Sequence, residues 1–181
     1  MIEEWKKEMS FGPSSKLFVI VVSELEPGLP VVLQTLQAAM GIERTPVLTT
    51  RRFRGGDADG ADYRRVSGAE FHRLRRCGAF LDVFEYDGDL FGIRSQDVYE
   101  LAHGGRSFCV PLRPDAANRL KAAYPDRVVR IRLRHGLPDS GHALRPGDYE
   151  FAADTTDLSH ALFDIMRRVE PLVDRGWIEK D

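Results

Sequence analysis

Cysteine is scarce in this chain of 181 residues. Cys77 and Cys109 are the two present, and their spacing fits neither a zinc site nor a redox pair. The five histidines have no metal-binding spacing, and none is clearly paired with a nucleophile. We therefore expect two buried free thiols in a reducing compartment, and neither a bound metal nor a cofactor.

Long apolar runs and an excess of one charge are absent as well. No run approaches the roughly 20 apolar residues that cross a bilayer, and no secretory signal pattern is evident. Charged residues make up 30% of the chain, and the formal net charge is -2. That balance gives no general attraction to nucleic acid or to an acidic membrane surface. We expect a cytoplasmic protein that binds neither.

The hydrophobic fraction of 43% is enough for one domain with a substantial core. Short apolar or alternating runs predict strands at 17–22, 47–50, 80–86, 89–92, 107–112, 127–133 and 149–152. Helical spacing predicts helices at 31–40, 95–103, 116–124 and 158–173, and a further helix opens at Ser67 with Glu70 three residues later, a capping-box pattern. Strands that alternate with helices indicate a parallel sheet covered on both faces.

The segment from Thr49 to Tyr63 has the most specific pattern in the chain. Arg51 and Arg54 lie three residues apart, and a turn rich in glycine and aspartate separates them from Tyr63. Two guanidinium groups at this spacing suit one phosphate or carboxylate group, and the turn can bring the tyrosine back toward them. The alternatives are that the arginines are solvated or paired with nearby aspartates, and that the tyrosine only packs.

The same segment resembles the nucleotide-acceptor segment of guanylate kinases, which reads Thr-Thr-Arg-x-x-Arg-x-Gly-Glu-x-x-Gly-x-Asp-Tyr. Further resemblances are at 66–71, 78–82, 88–92, 148–149 and 156–158, so the similarity covers about 16–173. The resemblance implies an α/β fold, with a three-layer parallel-sheet core of P-loop kinase type and an inserted mixed-sheet nucleotide-acceptor subdomain. It also implies a tail at 1–15, a core at 16–46 and 93–181, and an acceptor subdomain at 47–92.

On the acceptor side, the resemblance implies that Arg51, Arg54 and Tyr63 hold the acceptor phosphate. Asp82 stands where the family has a glutamate that reads the guanine edge. Phe91 replaces a tyrosine that hydrogen-bonds the phosphate, so ring stacking can persist without the hydroxyl. Two polar positions of the base pocket are also replaced, by Val47 and Ile93. By the resemblance, the phosphate side thus keeps most of the family's binding residues, whereas the base side has lost several. Asp82, Tyr63 and Phe91 could instead serve only in packing.

On the donor side, the parts that the family needs for phosphoryl transfer are replaced. The three glycines, the lysine and the two hydroxyl residues of the phosphate loop correspond here to Glu24, Pro27, Leu29, Pro30, Val31 and Val32. Prolines remove amide donors, and Glu24 and Glu26 would repel a triphosphate. Pro111-Leu112-Arg113 stands at the family's Asp-x-Asp, and 134–148 is shorter than the family's lid.

These features predict a catalytically inactive guanylate-kinase-like domain that cannot bind ATP in the usual way. It would use its acceptor side to bind GMP, another phosphate ester or a phosphorylated partner. One alternative is an enzyme with new chemistry on a nucleotide-like or phosphorylated small molecule in a specialised biosynthetic pathway, with Glu24, Glu26, Asp82 and Arg113 as candidate groups. Another is a subunit that associates with a protein partner or with itself.

Overall fold

A computed structural model describes residues 17–21, 28–52, 63–135, 147 and 149–174. Within these residues the strands are β1 (Leu17–Val21), β2 (Glu43–Arg44), β3 (Val47–Thr49), β4 (Tyr63–Arg65), β5 (Phe80–Tyr86), β6 (Asp89–Arg94), β7 (Phe108–Leu112), β8 (Val128–Arg134) and β9 (Phe151–Asp154). The helices are α1 (Leu29–Met40), α2 (Gly68–Arg76), α3 (Ser95–His103), α4 (Pro114–Ala123) and α5 (Leu158–Asp174). No helix in these ranges combines the length and apolar character needed to cross a bilayer.

The larger sheet has five parallel strands in the order β2-β7-β1-β8-β9. Its centre is β1, which pairs with β7 on one side and β8 on the other. Because all five strands run in the same direction, their carboxyl ends meet at one edge, where parallel sheets usually bind ligands. The predicted parallel sheet is confirmed.

Helices cover both faces of this sheet. Alternate residues of β7 point to opposite sides, so Val110 packs in one apolar cluster and Cys109 in the other. The cluster around Cys109 includes residues of α1 and α5, and the cluster around Val110 includes residues of α3 and α4. The predicted three-layer core is therefore confirmed.

The part of the chain that follows β2 and precedes α3 contains β3 to β6, which form a second, mixed sheet with the strand order β4-β3-β6-β5. The hairpin between β5 and β6 turns at Asp87 and Gly88, whose φ angles of 51° and 77° are both positive. Positive φ at both positions matches the right-handed twist of the strands, which explains the Asp-Gly pair. Val47 and Ile93 of this sheet share an apolar cluster with β7, so the boundary of a separate subdomain at 47–92 stays a prediction.

Several details differ from the sequence predictions. Cys77 is exposed at the end of α2, so the prediction of two buried thiols is wrong for it, whereas Cys109 is buried. Ser67 Oγ accepts a hydrogen bond from the Glu70 N–H as expected, but the Glu70 carboxylate pairs with Arg73. The last strand, β9, begins two residues later than predicted. The short strands β2 and β4 were not predicted.

Candidate ligand-binding site

The candidate site is a row of side chains across one face of the mixed sheet. Tyr63 lies opposite Val47 on the neighbouring strand, and Asp82 lies opposite Ile93. The register of β3 against β6 places Val47 next to Ile93, so the four residues form one line across four strands. At about 4.8 Å per strand, the row is roughly 14 Å long. Its Asp82 end touches Arg113, directly after β7, so the row meets the carboxyl edge of the parallel sheet.

Arg51 and Tyr63 lie together at one end of this row. The guanidinium carbon of Arg51 is 5.8 Å from the centroid of the Tyr63 ring, within the range of a cation–π contact. The Arg51 backbone N–H donates to Thr49 Oγ1 at 3.1 Å, which orients the chain as it leaves β3. The structure thus brings two of the three predicted phosphate-binding residues together, and Arg54 lies outside the described residues. A phosphate-binding role for the three stays a prediction.

Phe91 supports Tyr63 from within the core. Its ring meets the Tyr63 ring edge-on, with centroids 6.2 Å apart, and stacks on Phe84 at 5.2 Å with an interplanar angle of 7°. Phe91 is only 2% exposed. Its described contacts are therefore packing contacts, and a ligand could stack on this ring only if the cluster opened.

Asp82 and Arg113 form an ion pair at the other end of the row. The Arg113 backbone N–H donates to Oδ2 of Asp82 at 2.9 Å, while its Nε and Nη2 donate to Oδ1 at 3.0 and 2.6 Å. The Asp82 side chain is 2% exposed, against 48% for Arg113. Hydrogen bonding to Asp82 raises the pKa of the Arg113 guanidinium and so favours its charged form.

Sequence reasoning missed this pairing, because it treated Asp82 as a base-edge group and Arg113 as a lone replacement for a carboxylate. The two residues are 31 positions apart; Asp82 is on β5 of the mixed sheet, and Arg113 directly follows β7 of the parallel sheet. A signal was nevertheless present. By the family resemblance, Arg113 stands at the Asp-x-Asp and Asp82 at the glutamate that reads the base, so two opposite charges stand at positions that serve the same ligand.

The first turn of α1 contains the positions that the family resemblance assigns to the end of the phosphate loop. Gly28 caps the helix without a side-chain hydrogen bond, and Pro30 in the first turn has no N–H. A Cβ added to Gly28 would lie 3.0 Å from side-chain atoms of Thr155, so the turn before α5 packs closely against the start of α1. Glu24, Glu26 and Pro27 lie outside the described residues.

The fold of this chain is shared with a protein of known structure. The fold matches the crystal structure of guanylate kinase from Anaplasma phagocytophilum with a TM-score of 0.62 and 19% sequence identity, over 90% of this chain and 87% of that one. The protein therefore has the P-loop kinase fold.

The amino-acid sequence is also similar to those of curated guanylate kinases. The chain is 36% identical to the guanylate kinase of Rubrobacter xylanophilus over 81 residues, which are 45% of this chain and 42% of the relative. It is 31% identical to that of Maricaulis maris over 133 residues, 74% of this chain and 58% of the relative. The chain thus spans about half the length of these curated relatives. No family model matches the chain. Together, the sequence similarity and the shared fold support a guanylate kinase-like family for this chain.

Proposed function

We propose that this chain is a cytoplasmic, catalytically inactive guanylate-kinase-like protein that binds a phosphate ester or a phosphorylated partner through Arg51, Arg54 and Tyr63. The observation that carries the proposal is the first turn of α1. It contains Leu29, Pro30, Val31 and Val32, where the family resemblance expects the last glycine, the lysine and the two hydroxyl groups of the phosphate loop. Phosphoryl transfer depends on positioning and charge stabilisation, so these groups must be physically present.

Simple energetics support the loss of the donor site. A hydrogen bond to a charged phosphate contributes about 1.5–3 kcal/mol, whereas a micromolar ligand has only about 8 kcal/mol of binding free energy. Pro30 offers no N–H, and the side chains of Val31 and Val32 offer neither a cation nor a hydroxyl. Three or four such losses remove most of the affinity for a nucleoside triphosphate.

The acceptor side is better preserved. Arg51 is half-buried against the Tyr63 ring, so less side-chain entropy is lost when an anion binds than at a fully mobile arginine. The edge-on contact with Phe91 holds the tyrosine in place. A phosphate near this pair would accept charge-assisted hydrogen bonds from Arg51 and one from the Tyr63 hydroxyl, and Arg54 would add a second guanidinium.

Titration calorimetry with GMP and with Mg-ATP tests the proposal. We expect saturable binding of GMP and none of Mg-ATP. Arg51→Ala should weaken GMP binding at least tenfold, because a charge-assisted hydrogen bond is lost. Arg65→Ala is the matched control, since it removes an exposed arginine from β4 of the same sheet, and it should change the affinity by less than about twofold.

Three results would contradict the proposal: Mg-ATP binding as tight as GMP binding, equal effects of the Arg51 and Arg65 substitutions, or the absence of any binding by GMP, inorganic phosphate and a phosphopeptide. Consumption of a phosphorylated metabolite by the wild type but not by Arg51→Ala would favour the alternative of an enzyme with new chemistry.

A further inference from the structure

The Asp82–Arg113 ion pair closes one end of the row that begins at Tyr63. We propose that the site recognises its ligand by the phosphate group alone, so that the ligand class is phosphate monoesters irrespective of the base. This inference rests on the proposed function, because it concerns the ligand of the same site. The observations behind it are the hydrogen bonds that Asp82 accepts and the apolar side chains of Val47 and Ile93 in the middle of the row.

Asp82 has no accessible oxygen with which to read a base edge. Reading the donor edge of a heterocycle requires an acceptor that the ligand can reach. Both Asp82 oxygens already accept hydrogen bonds from Arg113, one of them from the backbone, and the side chain is 2% exposed. A base could reach the carboxylate only by displacing the arginine, which would leave a guanidinium without its partner.

The ion pair also cancels the charge of Asp82. A carboxylate alone would attract a heterocycle with N–H donors, whereas the pair has no net charge. The exposed part of the pair belongs to Arg113, whose side chain is 48% exposed. A ligand that approaches this end of the row therefore meets donors and a positive charge, which do not match the donor edge of a base.

The side chains in the middle of the row cannot replace Asp82 as a group that reads the edge of a base. Val47 and Ile93 have aliphatic side chains that are 7% and 0% exposed. Phe91, on the same face, is buried against Phe84. These side chains can neither donate nor accept a hydrogen bond, so they cannot distinguish one base from another. Among the described residues of the row, the proposed phosphate-binding residues Arg51 and Tyr63 lie at the opposite end from Asp82.

The test compares two ligands that share a phosphomonoester but differ in the base, GMP and ribose 5-phosphate. Calorimetry is carried out with the wild type, with Asp82→Asn, and with Glu85→Gln as the control, which neutralises an exposed acid on the same strand. We expect the two dissociation constants to agree within about threefold in all three proteins. Asp82→Asn should not change the ratio, because its carboxylate is unavailable to the ligand.

A hydrogen bond from a base to a free carboxylate would instead give at least about tenfold tighter binding of GMP. A tenfold preference of the wild type for GMP overturns the inference and leaves the proposed function standing, and its loss in Asp82→Asn alone would identify the carboxylate as the base reader. If Asp82→Asn does not fold, the ratio measured with the wild type decides. If neither compound binds, this inference is overturned, and the titrations with inorganic phosphate and a phosphopeptide decide the proposed function separately.

Discussion

At the scale of single residues, Gly92 shows how closely the mixed sheet is packed. A Cβ at this position would lie 2.7 and 2.8 Å from ring atoms of Phe80, and 3.1 Å from Phe71. The Phe71 and Phe80 rings stack with centroids 4.6 Å apart, so neither can move without disturbing the other. Gly92 is therefore required for space, and it holds α2 close to β6.

The substitution Gly92→Ala should lower the free energy of unfolding by about 1–3 kcal/mol, the range for overpacking a filled core. Urea unfolding followed by circular dichroism measures the change. Gly68→Ala is the control, because no atom lies within 4 Å of its added Cβ, and we expect less than about 0.5 kcal/mol. Equal stability of the Gly92 variant and the wild type would show that the aromatic pair is looser than described.

At the scale of elements, the start of α2 depends on a single hydroxyl. Ser67 Oγ accepts the Glu70 N–H at 3.1 Å, whereas the Glu70 carboxylate bonds to Arg73 at 2.7 and 2.8 Å. Ser67→Ala should therefore destabilise the protein by about 1 kcal/mol, and Ser67→Asp should preserve the cap. Chemical unfolding of both variants checks this prediction. Equal losses in the two would argue against capping.

The sequence predicted the long elements and missed the short ones for a physical reason. The apolar run of β1 and the helical periodicity of α5 are local patterns, so they are visible in the chain itself. In contrast, β2 has two residues and β4 has three, and each is defined by the strand beside it. The contact between Arg51 and Tyr63 accompanies the parallel pairing of β3 with β4, whereas the Asp82–Arg113 pair depends on the mixed sheet meeting the end of β7, which no local pattern encodes.

At the scale of the whole molecule, a polar network joins α4, β8 and the segment before β9. Arg130 is 8% exposed, and it donates to Asn118 Oδ1 at 2.6 Å and to the carbonyl of Gly147 at 2.7 Å. Glu150 accepts a hydrogen bond from the Arg130 backbone N–H and pairs with Lys121 at 3.2 Å. Since Arg130 is buried, loss of the Glu150 charge would leave it poorly neutralised.

The network predicts a stability that depends on pH. Burial raises the pKa of Glu150, but hydrogen bonds from Arg130 and Lys121 outweigh it, so the net pKa is lowered. A lowered pKa contributes stability above the unfolded value of about 4.3, and this contribution is lost as pH falls through the folded value. Urea unfolding between about pH 6 and pH 3 should show this acid loss reduced in Glu150→Gln and unchanged in Glu85→Gln. Identical pH profiles for the wild type and Glu150→Gln would exclude this role.

The central claim is that the chain keeps an acceptor site for phosphate without a donor site for ATP. Phosphorus NMR of the protein mixed with GMP, ATP and Mg²⁺, followed over many hours, tests both halves in one sample. We expect the GMP resonance to shift or broaden, the ATP resonances to stay as in buffer, and no GDP to appear. Formation of GDP above the rate of a protein-free control, or broadening of the ATP resonances alone, would contradict the account.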